Sequence, residues 1–426
     1  MIKPQVLILY AAFFTGMSAG LAAGSPLSTQ QGERVVFIRG GSGTGGFLEG
    51  GSDEQLSDIN NFSTSGGNHG FGQLAQLLTA DGFVVEQVIE AATGPPVNFS
   101  ALDLSRVSVL VLGSNNRRYT QLDVAAVTDF VAQGGGLLVI SDANWGSNWG
   151  SAPTSDQSFL DPYGLVMNQD TSTYVSRDDQ GDHLVPIDPI LSGQNLGADS
   201  SDDVEAFDGE GVSPLTVGPT PAGVQVQILA RAENNIHVND SGNSGSFRQA
   251  GPDDAALVVA YFGNGAVVGH FDRNTFFNTN GAGTDITRFD NTQYALNIFR
   301  FLSGSVPQPY GEPKVNSLGG EARVVATQSP TAVMLGGYGA IPGTPTQFIM
   351  GTERDTLPAF GGQLLVGGTL NRLGVGLAGA EGNWNDAFDV PPSTVAFTLT
   401  FQQIYRDTGD PTGVGLSSAV EAQFLP

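Results

Sequence analysis

Phe130-Val131-Ala132-Gln133-Gly134-Gly135-Gly136-Leu137-Leu138-Val139-Ile140-Ser141-Asp142 holds a helix end, a stop and a strand in one short stretch. The apolar residues Leu122, Ala125, Ala126, Phe130 and Val131 recur at helical spacing, and Gly134-Gly135-Gly136 ends that helix. Leu137-Leu138-Val139-Ile140 is an unbroken apolar run without polar alternation, the mark of a strand buried on both faces. The same rhythm extends outward. Upstream, residues 34–39 and Val84-Val85-Glu86-Gln87-Val88-Ile89 read as strands, and Val107 to Gly113 as a third. Between the first two, Phe71, Leu74, Leu77 and Leu78 predict a helix over 69–81 that Asp81-Gly82 closes. Downstream, 256–261 and 266–271 are strands joined by the hairpin turn Gly263-Asn264-Gly265, and 291–302 form a closing helix. Strands alternating with helices predict a flavodoxin-like α/β domain, a doubly wound parallel sheet with its ligand site beyond the carboxyl ends of the strands.

The rest of the chain fits around that domain. From about 143 to 255 Asn, Asp, Gly and Ser dominate, which reads as an irregular insertion with a few short strands. Residues 304–320, rich in Gly and Pro, mark a linker into a C-terminal module. Beyond it, alternating runs such as 393–401 between Gly/Pro turns predict an antiparallel β-sandwich over 310–426. At the other end, Lys3 is followed by an apolar run over 6–14 and by small residues over 19–24. A basic start, a short apolar core and a small-residue site predict a secretory signal peptide over 1–24, and hence a secreted or surface location. The competing reading is a membrane anchor, but the core is shorter than the ~20 residues of a span. No later stretch approaches a span, so no membrane span is expected once the signal is removed. The α/β domain then covers 25–303.

Composition narrows the chemistry. The 426 residues carry 17 Lys and Arg against 42 Asp and Glu, a formal charge of −25. Such a chain repels nucleic acid and anionic lipid. It contains no cysteine, which excludes disulfides, thiolate catalysis and Cys-ligated metals. Lys3 and Lys314 are its only lysines, leaving almost no place for Schiff-base chemistry or a P-loop.

Three stretches together carry a resemblance: the early strand with its glycine loop and the helix opening Asn68-His69-Gly70-Phe71-Gly72; Phe130 to Asp142; and Tyr261 to Asp272 with Phe276-Phe277-Asn278 and Asp290-Asn291. They resemble the class I glutamine amidotransferase-like superfamily, among secreted or membrane-linked bacterial domains of the DUF4350 and ThuA-like kind. The resemblance spans 34–303 in outline. Amidotransferases place a nucleophilic cysteine at a tight turn after a strand, where this chain holds Ser141-Asp142, so the resemblance implies a scaffold without that reaction. It also implies that Asp272 stands at a position where an Asp is usual. Phe401 to Asp407 followed by Gly415 to Ala419 resembles the closing motif of a β-rich module found at the ends of secreted proteins of environmental bacteria.

Candidate site residues follow the expected strand ends. The glycine loop 40–46 contains a formal G-x-G-x-x-G, but a dinucleotide site needs a helix at once and the helix waits until about 69, so the loop reads as the mouth of a site. Ser141 lacks the G-x-S-x-G of a serine hydrolase. Ser141 and Asp142, with Ser114 and Asn115 after the third strand, are ligand-binding candidates whose plain alternative is turn and cap chemistry. The same choice faces Asp272, Asn274 and Asn291. If the chain is catalytic, His69, Asp142 and Asp272 are the groups for acid–base work; each of the four histidines is otherwise a satisfied structural residue. No His spacing makes a metal motif. The segment 178–210 holds ten Asp/Glu and no Lys or Arg, which allows calcium as a cofactor or simply a solvated acidic surface, and the EF-hand pattern is missing. Three readings remain: a non-catalytic α/β domain binding a small or carbohydrate-like ligand or a surface partner; a hydrolase or isomerase acting on sugar derivatives; and a structural cell-surface protein.

Overall fold

The computed structural model describes residues 33–39, 58–62, 70–89, 96–113, 118–141, 157–168, 173–186, 188–193, 203–232, 235–237, 253–279, 283–304, 308–329, 332–380, 382–390 and 397–424. The expected signal peptide, the glycine loop 40–46, His69, Ser114, Asn115 and Asp142 lie outside them. The chain divides into two compact units, one spanning Leu27–Val306 and the other running from Pro307 to Pro426.

In the first unit β1 (Arg34–Arg39), α1 (Gly72–Ala80), β2 (Val84–Ile89), β3 (Val109–Gly113), α2 (Gln121–Ala132) and β4 (Gly136–Ile140) follow the rhythm read from the sequence. Local chemistry explains the ends of α2. Thr120 and Asp123 form a reciprocal capping box at its start, and the second Asp123 oxygen accepts the Phe99 N–H at 3.1 Å. Its far end closes on Gly134 at φ +111°, a left-handed position that only glycine takes readily.

Next come β5 (Leu165–Met167), β6 (Thr173–Arg177), the short helix α3 (Pro189–Ser192), β7 (Ala206–Glu210), β8 (Leu215–Val217), β9 (Val224–Arg231) and β10 (Asn235–His237). The hairpin β11 (Ala255–Phe262) and β12 (Gly265–His270) and the helix α4 (Asn291–Ser303) complete the unit. The main sheet runs β2-β1-β3-β4-β12-β11-β8-β5, with β9 also paired to β11. From β2 to β12 every neighbour is parallel; from β12 outward every pairing is antiparallel. The sheet is therefore mixed. Three strands of the expected irregular insertion extend it, and β10-β6-β7 make a separate antiparallel sheet. The reason is legible in β9: Val224, Val226 and Ile228 alternate with Gln225 and Gln227, a half-buried strand pattern obscured by the polar residues around it.

The core gathers on α4. Tyr294, Ala295, Ile298, Phe299 and Leu302 are buried, and Phe299 meets Phe37 of β1 at 6.0 Å. Helix α1 joins the same layer through Arg300, which donates to both Asp81 oxygens at 2.9 and 2.8 Å.

The second unit is antiparallel throughout. Its strands are β13 (Gln308–Tyr310), β14 (Arg323–Ser329), β15 (Ala332–Tyr338), β16 (Pro345–Gly351), β17 (Glu353–Ala359), β18 (Gly362–Gly367), β19 (Asn371–Leu377), β20 (Trp384–Asp389), β21 (Phe397–Arg406) and β22 (Val414–Phe424). They form a sheet β13-β22-β21-β16-β19, a sheet β14-β15-β20 and the hairpin β17-β18. The five-stranded sheet is covered on two sides. Phe348, Phe401, Val420 and Phe424 pack with Val324, Val333 and Leu335 of β14 and β15. Ile349, Ile404 and Leu416 pack with Leu364 and Val366 of the hairpin. Alternate residues of β16 thus serve opposite cores. No described helix is long and apolar enough to cross a membrane.

Candidate functional site

The parallel strands end on one edge, where sequence reasoning places the site. Ile140 pairs with His270, so Ser141 stands level with the residues that follow β12. Its N–H donates to the His270 carbonyl at 2.8 Å. Ser141 is fully buried, and its hydroxyl has no hydrogen-bond partner among the described residues. Leaving a buried hydroxyl unpaired costs about 1–3 kcal/mol. Two arginines flank this edge: Arg39 ends β1, and Arg273 lies just beyond β12 with its guanidinium over the Phe277 ring at 5.6 Å. Both are buried, Arg273 completely.

Asp272 and Asn291, two of the expected ligand contacts, are fully buried and hold β7 in place. One Asp272 oxygen accepts the Glu210 N–H at 2.7 Å. The β7 backbone lies so close that a Cβ added at Gly209 would sit 2.7 Å from that of Asp272. Asn291 accepts the Asp208 N–H at 3.1 Å and donates to Asp208 Oδ1 at 2.9 Å and to the Asp285 carbonyl at 2.8 Å. Asp290, the N-cap of α4, accepts the N–H groups of Glu205 and Ala206 at 2.9 and 3.0 Å. Asn274 opens a short turn and is half-buried.

Under this clasp lies a polar network that sequence reasoning missed. Asp208 is buried, and its second oxygen takes Thr284 Oγ1 at 2.8 Å and Arg288 Nε at 3.0 Å. Desolvation raises its pKa, opposed by Asn291, Arg288 and Thr284. The available signal was an Asp inside the short strand Ala206-Phe207-Asp208, where a carboxylate needs dedicated partners.

His270 is a satisfied core histidine. Thr275 Oγ1 spends its hydrogen on the Asp208 carbonyl at 2.7 Å, so it accepts from His270 Nε2 at 2.9 Å. The Nδ1 lone pair then accepts the Tyr294 hydroxyl at 2.9 Å. Burial holds the His270 pKa down at about 3. His183 is also buried, stacked on Phe207 at 5.9 Å with Nδ1 4.0 Å from Asp178 Oδ1, and burial lowers its pKa. Three carboxylates of 178–210 have separate structural partners: Asp182 accepts the Arg177 N–H, Asp188 caps α3, and Asp208 serves the network above, while Asp178 and Asp179 are exposed. Among the described residues no group of three or more His, Asp or Glu is placed to hold a metal ion.

No protein-family model and no curated protein matches the chain. Similar solved structures include the IFT52 N-terminal domain, 11% identical over 63% of this chain and 97% of that one, with TM-score 0.38. A cytoplasmic protein of Salmonella typhimurium is 12% identical over 63% of this chain and 98% of its own, with TM-score 0.36. A ThuA-like protein of Parabacteroides merdae is 14% identical over 64% of this chain and 90% of its own, again with TM-score 0.36. These are loose likenesses of shape and carry no residue-level correspondence.

Proposed function

We propose that the first unit is a secreted, non-catalytic binding domain that takes a small, polar, carbohydrate-like ligand or surface partner at the carboxyl end of its parallel strands, on a flavodoxin-like scaffold of the ThuA-like kind. The observation that supports this reading is the Ser141 hydroxyl, buried at that edge without a partner among the described residues. An unpaired buried donor is retained at a cost, and a ligand group that pairs with it recovers that cost on binding. Asp272, one of the three groups named for acid–base work, has an oxygen that accepts the Glu210 N–H of β7, which favours binding over turnover.

The test is Ser141→Ala. With no hydrogen bond to lose, the folded protein keeps or gains thermal stability. Binding across a panel of neutral oligosaccharides weakens about threefold to tenfold, the worth of one neutral hydrogen bond of ~1 kcal/mol. Equal binding by variant and wild type, or measurable turnover of a glycoside by the wild type, overturns the reading.

A further inference from the structure

Phe289 stands out in the first unit. It has φ +46°, a left-handed conformation that a bulky side chain rarely adopts. It is held there by its neighbours. The Asn291 N–H donates to the Arg288 carbonyl at 3.1 Å, and the Asp290 N–H to the Ala206 carbonyl at 3.0 Å. This strained residue presents an aromatic ring that is 41% exposed. Two guanidiniums stand over that ring, those of Arg177 and Arg288, each with Cζ 5.2 Å from its centroid.

The two arginines differ in what fixes them. Arg288 is aimed from below by its bond to the buried Asp208 carboxylate. Arg177 ends β6, and its N–H is pinned by Asp182 at 2.9 Å, but its guanidinium makes no ion pair or side-chain hydrogen bond among the described residues. Acids outnumber bases 42 to 17 in the chain, and the exposed Asp178 and Asp179 follow Arg177 directly, so an arginine left unpaired here is not short of nearby carboxylates. A planar guanidinium held over an aromatic ring keeps its edge free, and that edge matches a carboxylate in the bidentate manner.

We infer that Arg177, Phe289 and Arg288 form a binding site for a monoanionic sugar acid, whose carboxylate is taken by the Arg177 edge and whose sugar rests against the exposed part of the Phe289 ring. The chain's charge of −25 repels a polyanion more strongly than a ligand with a single carboxylate, so a monoanion is the anion this site holds at least cost. This site does not involve Ser141 and stands independently of the reading above.

The probe is methyl glucuronide, compared with methyl glucoside and with acetate, titrated into the full chain by calorimetry or NMR at low salt. Expected is binding of the glucuronide at least tenfold tighter than of the glucoside or acetate, weakening with added salt. Arg177→Gln removes an unpaired charge on a half-buried side chain, so it folds normally and brings the glucuronide down to the level of the glucoside. Phe289→Gly suits the left-handed backbone, so its thermal midpoint holds or rises while glucuronide affinity falls about tenfold. In Ser141→Ala the preference for the glucuronide over the glucoside is expected to persist, because any sugar binding at the carboxyl-edge site is common to both probes, and its loss overturns the separation of the two sites. Equal binding of the three probes by wild type, or full glucuronide affinity in Arg177→Gln or Phe289→Gly, overturns the inference.

Discussion

Single side chains in the first unit show how burial decides chemistry. His270 and Asp188 are both fully buried, and burial shifts each toward its neutral form for the same reason: a charge there has no water to stabilise it. His270 has a partner for each nitrogen and titrates far below neutrality. Asp188 has one oxygen accepting the Ile190 N–H at 2.9 Å and the other without a partner among the described residues, and burial pushes its pKa up to about 7. Its sign follows directly. An unfolded Asp ionises near 3.9, so the neutral folded form contributes stability that is full below about pH 4 and is lost as pH climbs through 7. The loss amounts to at most about 4 kcal/mol. In Asp188→Asn the side-chain oxygen still caps α3 but nothing ionises. Thermal melts from pH 4 to pH 8 are expected to show the wild type losing midpoint relative to this variant as pH rises. Parallel curves for the two proteins refute the assignment.

At the scale of elements, β7 decides the fate of the site read from sequence. Asp272 and Asn291 are candidates in the sequence because polar residues at strand ends and helix starts meet ligands, and Asp and Asn side chains meet backbone amides equally well. Nothing in the linear sequence distinguishes the two, because the partner, β7, lies more than sixty residues upstream of Asp272. The parallel strands were legible, since Val109 to Gly113 and Gly136 to Ile140 are apolar throughout and buried on both faces. The antiparallel half was not, because β5 and β8 are three-residue strands below the length at which alternation can be counted. Phe289 and its arginines were equally hidden: a positive φ at a phenylalanine has no sequence signature. The clasp itself is testable at Gly209. A Cβ there meets Asp272 and the Phe271 ring at 2.7–2.9 Å, so Gly209→Ala must push β7 off the strand ends. It is expected to cost about 1–3 kcal/mol, the range of overpacked cores, read as a lowered denaturation midpoint. An unchanged midpoint means that β7 is not tightly held.

Across the whole molecule, charge and core are distributed unequally. Residues 25–304 carry 11 basic and 32 acidic residues, and residues 305–426 carry 5 and 10. Self-repulsion of the like charges opposes the compact state and is screened by salt, with a Debye length of about 10 Å at 0.1 M and about 3 Å at 1 M. The first unit has the larger excess for its length, and the second draws its stability from apolar clusters on both sides of its five-stranded sheet. Calorimetric unfolding of the intact chain is therefore expected to resolve two transitions that respond differently to sodium chloride. Each can be identified by a local lesion: Gly209→Ala marks the first unit, and Gly415→Ala, whose Cβ would fall 2.1 Å from the buried Tyr405 ring, marks the second. Between 0.02 and 0.5 M salt the transition lowered by Gly209→Ala should rise by several degrees, and the one lowered by Gly415→Ala should rise less. A single transition moved by both lesions, or an equal salt response, contradicts the assignment of the acidic burden to the first unit, because screening can only relieve repulsion where the charge excess resides.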